Sequence, residues 1–251
     1  MPKPLTVVLG VAAVASIGAA LWVVESRGLW SMLKTESQRR EASQQGLERG
    51  KEVAEREVLA PLDSALGAPV FLRIFKESSE LELWVQPEGA ATFELAATWA
   101  VARWSGELGP KQQEGDRQAP EGFYYTDSGS LNPNSSYHLS FNINYPNAYD
   151  RSLGRTGSWI MVHGGKSSIG CFAMTDPVIE VIYGAVEEAL KNGQEAVPVH
   201  VFPFRMTEER LADVAEDHPW RAFWLDELLP EYQRFEKERS DPKVLGSEVS
   251  R

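Results

Sequence analysis

Residues 5–24 (LTVVLGVAAVASIGAALWVV) form an apolar run without a charge, preceded by Lys3 and followed by Glu25 and Arg27. A helix of about 20 residues rises about 30 Å, enough to cross the hydrocarbon core of a bilayer. Gly18, Ala19 and Ala20 are followed at once by Leu21 and Trp22, which makes a poor cleavage site. Residues 1–27 therefore fit an uncleaved signal anchor better than a cleaved signal peptide, and both readings carry the rest of the chain out of the cytoplasm. Residues 28–66 change character. Between Lys34 and Glu57 six acidic and six basic residues are interspersed, the pattern of a solvated helical stalk or linker.

Apolar positions regain a short period from residue 67. VFLRIF (70–75) and LELWV (81–85) read as strands across the charged turn 76–80, and apolar positions continue through 93–101. Glycine, proline and charge dominate 106–122, a loop long enough to line or cover a site. Residues 137–143 alternate as a strand, and SWIMV (158–162) reads as a buried one. Asp176-Pro177 is a helix start. Ile179, Ile182, Tyr183, Val186 and Leu190 then recur on one helical face up to Gly193. VPVHVFPF (197–204) is a further strand, and amphipathic helices follow near 208–215 and 220–238. Residues 239–251 are polar and read as a disordered tail. The fold class is α+β: a mostly β domain over 67–238 with helices at its C-terminal end.

Charge narrows the function. A formal net charge of -11 opposes nucleic-acid binding, which needs a basic face against phosphates. It also opposes docking of the folded part on anionic lipid. The chain has one cysteine and four scattered histidines. It therefore has no internal disulfide and no cysteine-rich zinc site, and no metal or cofactor is expected.

That single cysteine lies in IMVHGGKSSIGCFAMTD (160–176). An apolar strand delivers His163 at its end, a Gly-Lys-Ser loop follows, and Gly170 and Cys171 precede a helix. Thiol chemistry needs a thiolate and a base that makes it. Glycines let backbone N–H groups approach a developing oxyanion, and Gly170 and Cys171 are placed to offer such groups, with Gly164 as a further backbone candidate. Spacing alone leaves a buried structural cysteine and a structural histidine as open a reading as catalysis. Gly165-Lys166-Ser167 imitates the end of a phosphate-binding loop, but Ile160 stands where that motif needs its first glycine.

Ser168-x-Gly170-Cys171 downstream of His163-Gly164 resembles the signature of the L,D-transpeptidases (YkuD-like). The resemblance is strongest to the YafK/DpaA branch, through LRIFK (72–76), GPK (109–111), EGD (114–116), PEGFY (120–124), PNAYDR (146–151), GCFAMTD (170–176) and PFRMT (203–207). It implies an L,D-transpeptidase-like catalytic domain without a cofactor, on the periplasmic side of a bacterial envelope. Its substrates would be peptidoglycan stem peptides. Cys171 would attack a carbonyl beside meso-diaminopimelate to form a thioester, with His163 as base. In that branch the reaction detaches an outer-membrane lipoprotein joined to diaminopimelate through its C-terminal lysine, whereas most of the wider family makes bonds.

The wider family has Arg or Asn two residues after the cysteine, and this chain has Ala173. The candidates to hold a substrate carboxylate in its place are Arg151, Arg155 and Lys166, with Ser168 and Tyr149 as further lining residues. Cross-linking or protein attachment is the alternative reaction. A membrane-anchored, non-catalytic peptidoglycan-binding module and a general cysteine peptidase are the alternatives of other classes.

Overall fold

The computed structural model describes residues 67–243. The expected anchor, the stalk and the end of the tail lie outside the described residues. Among the described residues no helix is long and apolar enough to cross a membrane.

Strand β1 (Val70–Phe75) is buried at every position, because its two faces meet different layers. It pairs antiparallel with β2 (Glu80–Val85), which pairs with β3 (Glu94–Ala100). On its other edge β1 runs parallel to β9 (Val197–Phe202), and β4 (Gly122–Thr126) closes the five-stranded sheet in the order β3-β2-β1-β9-β4. A second sheet has the order β5-β6-β7-β8, from β5 (Leu131–Asn132), β6 (Ser140–Asn142), β7 (Met161–His163) and β8 (Phe172–Ala173). Its β7–β8 pair is parallel and the others are antiparallel. Helix α1 (Ala148–Ser152) stands between β6 and β7.

The period of two sorts the side chains. Val70, Leu72 and Ile74 face the main core together with Val162 and Phe172 of the second sheet. Helix α2 (Asp176–Lys191) adds Ile179, Ile182 and Val186 to that core, its apolar residues recurring at helical spacing. Phe75 faces the opposite way, against the C-terminal layer of Trp224, Leu228 and Tyr232. Phe71 packs with Trp84 and Phe235 on that same outer side. Between them Arg73, 2% exposed, is neutralised by Glu82 and Glu236 at 2.7 and 2.6 Å.

Several elements differ from the sequence expectation. The strand expected over 137–143 shortens to Ser140–Asn142, because His138 turns the chain at φ +72°. The strand expected over 158–162 moves to Met161–His163. Trp159 adopts φ +58° and is 72% exposed, so it cannot serve as an inward-facing strand residue. The C-terminal helices are α3 (Glu208–Ala212), α4 (Arg221–Phe223), a π-helical turn Trp224–Leu228 and α5 (Leu229–Glu238). The polar stretch from residue 239 is attached as far as Lys243, whose N–H donates to Glu231 and whose carbonyl meets His200 at 2.6 Å.

Candidate active site

The parallel ladder sets Val162 beside Phe172 and His163 beside Ala173. One step back along the same register Met161 meets Cys171, and the Met161 N–H donates to Sγ at 3.4 Å. Val162 and Phe172 point into the core. Alternation therefore puts Met161, His163, Cys171 and Ala173 on the opposite face. The nucleophile candidate and the base candidate are diagonal neighbours there, one two-residue step apart across adjacent strands.

Short contacts hold both ends of this ladder. The Met174 N–H donates to the His163 carbonyl at 2.7 Å, and the Thr175 N–H donates to that of Gly165 at 3.0 Å. The Gly165 N–H donates to Asp176 Oδ1 at 2.7 Å. Gly164 is required sterically: a Cβ there would stand 2.6 Å from the Tyr137 carbonyl and 2.7 Å from Asp176 Oδ1. Gly170 adopts φ +94°, a region that disfavours residues with a Cβ. Its N–H donates to Ser105 Oγ at 2.6 Å, and Ser105 donates in turn to the Arg117 carbonyl. The 106–122 loop is thus tied to the residue preceding the cysteine. It is pinned from below by Lys76, fully buried, which donates to Gly109, Ala119 and Glu121.

Electrostatics describe a neutral resting pair. Burial pushes the Cys171 thiol up, opposed by the Met161 N–H and by the positive charge of Lys111. The thiol donates to the Trp159 carbonyl at 3.6 Å. Burial pushes the His163 imidazole below its usual value, opposed by its bond to Gly164. His163 Nδ1 lies 2.6 Å from the Gly164 carbonyl, which only accepts, so Nδ1 carries the hydrogen and Nε2 keeps a free lone pair. The Tyr137 ring lies against the imidazole at a centroid distance of 4.7 Å. Among the described residues, no group of three or more His, Cys, Asp or Glu side chains is placed to hold a metal ion.

Over 179 residues, 71% of this chain and 71% of the relative, the sequence is 41% identical to the Escherichia coli K12 protein named "Putative L,D-transpeptidase YafK". The same figures hold for its namesake in Escherichia coli O157:H7. The chain belongs to the L,D-transpeptidase family. No family model matches it. Among solved structures, the helical cell shape determining protein Pgp2 of Campylobacter jejuni is 22% identical, with 57% of this chain and 53% of that one covered and a TM-score of 0.43. The family assignment rests on the sequence relatives, and it places the chain in a murein-modifying, cell-envelope family.

In this L,D-transpeptidase-family chain the other residues singled out from sequence scatter. Ser168 donates to the Cys171 carbonyl at 2.5 Å and braces the turn. The Gly164 N–H is already bonded to the Leu139 carbonyl, as the Gly170 N–H is to Ser105. Arg155, 7% exposed, is paired with Asp150 at 2.7 Å, and its guanidinium lies over the Tyr149 and Phe223 rings. Tyr149 stacks on Phe223. Arg151 is exposed and donates to the Pro146 carbonyl. Lys166 is exposed on the loop between His163 and Cys171. Sequence reasoning missed Ser105, Lys111, Tyr137 and Asp176. Lys111 and Asp176 fall inside GPK and GCFAMTD, the one signal that pointed near them.

Proposed function

We propose that the chain is a cysteine acyl-transfer enzyme acting at meso-diaminopimelate of peptidoglycan stem peptides, and that water resolves its thioester, releasing a peptidoglycan-bound lipoprotein. The observation that carries the reading is His163, a neutral imidazole with a free Nε2 on the same ladder face as the only thiol of the chain. Nε2 takes the Cys171 proton as Sγ bonds to the carbonyl carbon. The Gly164 and Gly170 N–H groups are engaged elsewhere, so the oxyanion falls to the N–H of Cys171 itself, which has no acceptor among the described residues. As the C–N bond breaks, the imidazolium returns its proton to the leaving amine. His163 then takes a proton from water, whose oxygen attacks the thioester, and the departing sulfur is reprotonated. Release rather than cross-linking follows the YafK/DpaA resemblance. An amine in place of water would give transpeptidation from the same thioester.

The test is mass spectrometry of sacculi carrying covalently attached lipoprotein, incubated with the full-length chain or with Cys171→Ala. Release of lipoprotein ending in its own lysine, by the unmodified chain alone, is the expected result. New diaminopimelate–diaminopimelate or amine-exchanged peptides without release would replace hydrolysis by transpeptidation. Equal behaviour of the two proteins would leave a non-catalytic binding module.

A further inference from the structure

Arg103 and Ala173 form an isolated antiparallel bridge. The Ala173 N–H donates to the Arg103 carbonyl at 2.9 Å and the Arg103 N–H to that of Ala173 at 3.2 Å. A pair that exchanges both bonds has its Cα atoms about 5.5 Å apart. Directly opposed residues project from the same face. Ala173 shares its face with Cys171 and His163, so the Arg103 side chain rises from that face as well, one strand beyond the nucleophile. Trp104, the next residue, packs on the main core, as alternation requires. Two residues further on, the Ser105 hydroxyl accepts from the Gly170 N–H.

Arg103 is exposed. Among the described residues its guanidinium has no hydrogen-bond, ion-pair or ring partner. Most other arginines of the domain are engaged: Arg73, Arg155, Arg205, Arg210, Arg234 and Arg239 all sit in salt bridges. In a chain of net charge -11, a free planar cation bridged to the residue two positions after the cysteine is placed to receive an anion. Ala173 is itself fully buried and projects only a methyl group, so the exposed group at this bridge is the Arg103 side chain.

We propose that Arg103 anchors a free carboxylate of the substrate, holding it by a bidentate pair while Cys171 reaches the neighbouring carbonyl. This rests on the reading given under Proposed function and adds the residue that recognises charge. A guanidinium matches a carboxylate through two parallel N–H···O bonds, which fix orientation as well as position. Two carboxylates flank the scissile amide of such a substrate: the one at the side-chain end of diaminopimelate, and the α-carboxylate of the leaving lysine.

The experiment uses the full-length chain and a stem peptide amide-linked to lysine, with each of these carboxylates in turn replaced by a carboxamide. In the unmodified chain one of the two replacements lowers kcat/KM by about 10- to 100-fold, as expected for a lost charge-assisted pair. The sensitive position identifies the carboxylate. In Arg103→Gln the carboxylate substrate falls to the level of that carboxamide and the discrimination disappears, while the thermal midpoint is unchanged. Arg103→Lys keeps part of it. Arg117→Gln, at the exposed arginine whose backbone carbonyl accepts from Ser105, keeps all of it. Discrimination that survives in Arg103→Gln, that is absent from the unmodified chain, or that is lost in Arg117→Gln instead overturns the assignment. If the unmodified chain turns over none of the substrates, the proposed function has failed on its own. The same comparison is then read as Kd on Cys171→Ala with and without Arg103→Gln, where equal affinity for all three peptides overturns the anchor as well.

Discussion

His163 Nδ1 lies 2.6 Å from the carbonyl oxygen of Gly164, the next residue in the chain. The strand ends at His163, so the backbone turns back and offers its own oxygen to the ring. No carboxylate is needed to set the tautomer. A carbonyl orients the imidazole without contributing a full negative charge to raise its basicity, and burial keeps the protonated form disfavoured.

A pH profile follows from this. In the proposed mechanism His163 is a general base that acts when neutral, so kcat/KM is expected to rise with pH through the His163 pKa. That pKa is held below its ordinary 6.5, and the acidic limb is expected there. The thiol is held above its ordinary 9.0, so the resting enzyme has little free thiolate at neutral pH. In the proposed mechanism, alkylation of Cys171 near pH 7 is then expected to depend on His163. His163→Gln is expected to slow alkylation of Cys171 at pH 7 by about 100-fold and to converge with the unmodified chain at strongly alkaline pH. An acidic limb well above 6.5, or unchanged alkylation in His163→Gln, would contradict the neutral pair.

The Lys76–Glu121 pair yields a stability prediction. Both side chains are fully buried and 2.9 Å apart. Glu121 also accepts from the Gly109 N–H at 2.6 Å and from Trp224 Nε1 at 2.7 Å, joining the 106–122 loop to the π-helical turn. Lys76→Met leaves a buried carboxylate without its cation and is expected to cost about 3–5 kcal/mol in urea unfolding. Lys76→Met combined with Glu121→Leu is expected to cost less than the sum of the single changes, because the second removes the stranded charge. Additive costs would mean that the two groups do not act as a pair.

Acid sensitivity is expected from His200. It is fully buried against Phe71 and Phe123, with ring centroids 4.6 Å away in each case. Burial pushes its pKa down to about 4, with the Lys243 carbonyl and Glu231 opposing. Its folded value lies below the unfolded 6.5, so the unfolded chain binds more protons between these limits and stability falls as pH drops through that window. One histidine accounts for about 3 kcal/mol by pH 4. The stability difference between the unmodified chain and His200→Gln, measured at pH 7, 5.5 and 4.5, isolates this from carboxylate titration. It is expected to move against the unmodified chain as pH falls, and a constant difference would exclude His200 as the source.

Elements whose burial follows a simple period were legible in the chain. VFLRIF and the residues of α2 carry their partners' geometry in their own spacing, and 70–75 and 176–191 lie where that spacing placed them. Positions 158–162 were less legible. Trp159 is apolar but turns outward at positive φ, and apolarity does not encode backbone handedness. The break of the last helix at Trp224–Leu228 is similar: the sequence shows the apolar face, while packing of Trp224 on Phe204 and its bond to Glu121 belong to the tertiary structure.

The sequence by itself determined the family and the candidates for its chemistry: one thiol, a strand-end histidine, the glycines that let the turn between them close, and the motifs that mark the family. These are legible because they depend on residue identity and short separation. Only the tertiary structure decided which backbone donors are spent, that Arg155 is taken by Asp150, that Ser105 braces Gly170 from 65 residues away, and that Arg103 stands unpaired on the face of Cys171 and His163. Each depends on strand register between distant segments, which is set by how the whole hydrophobic core packs and which no local pattern records.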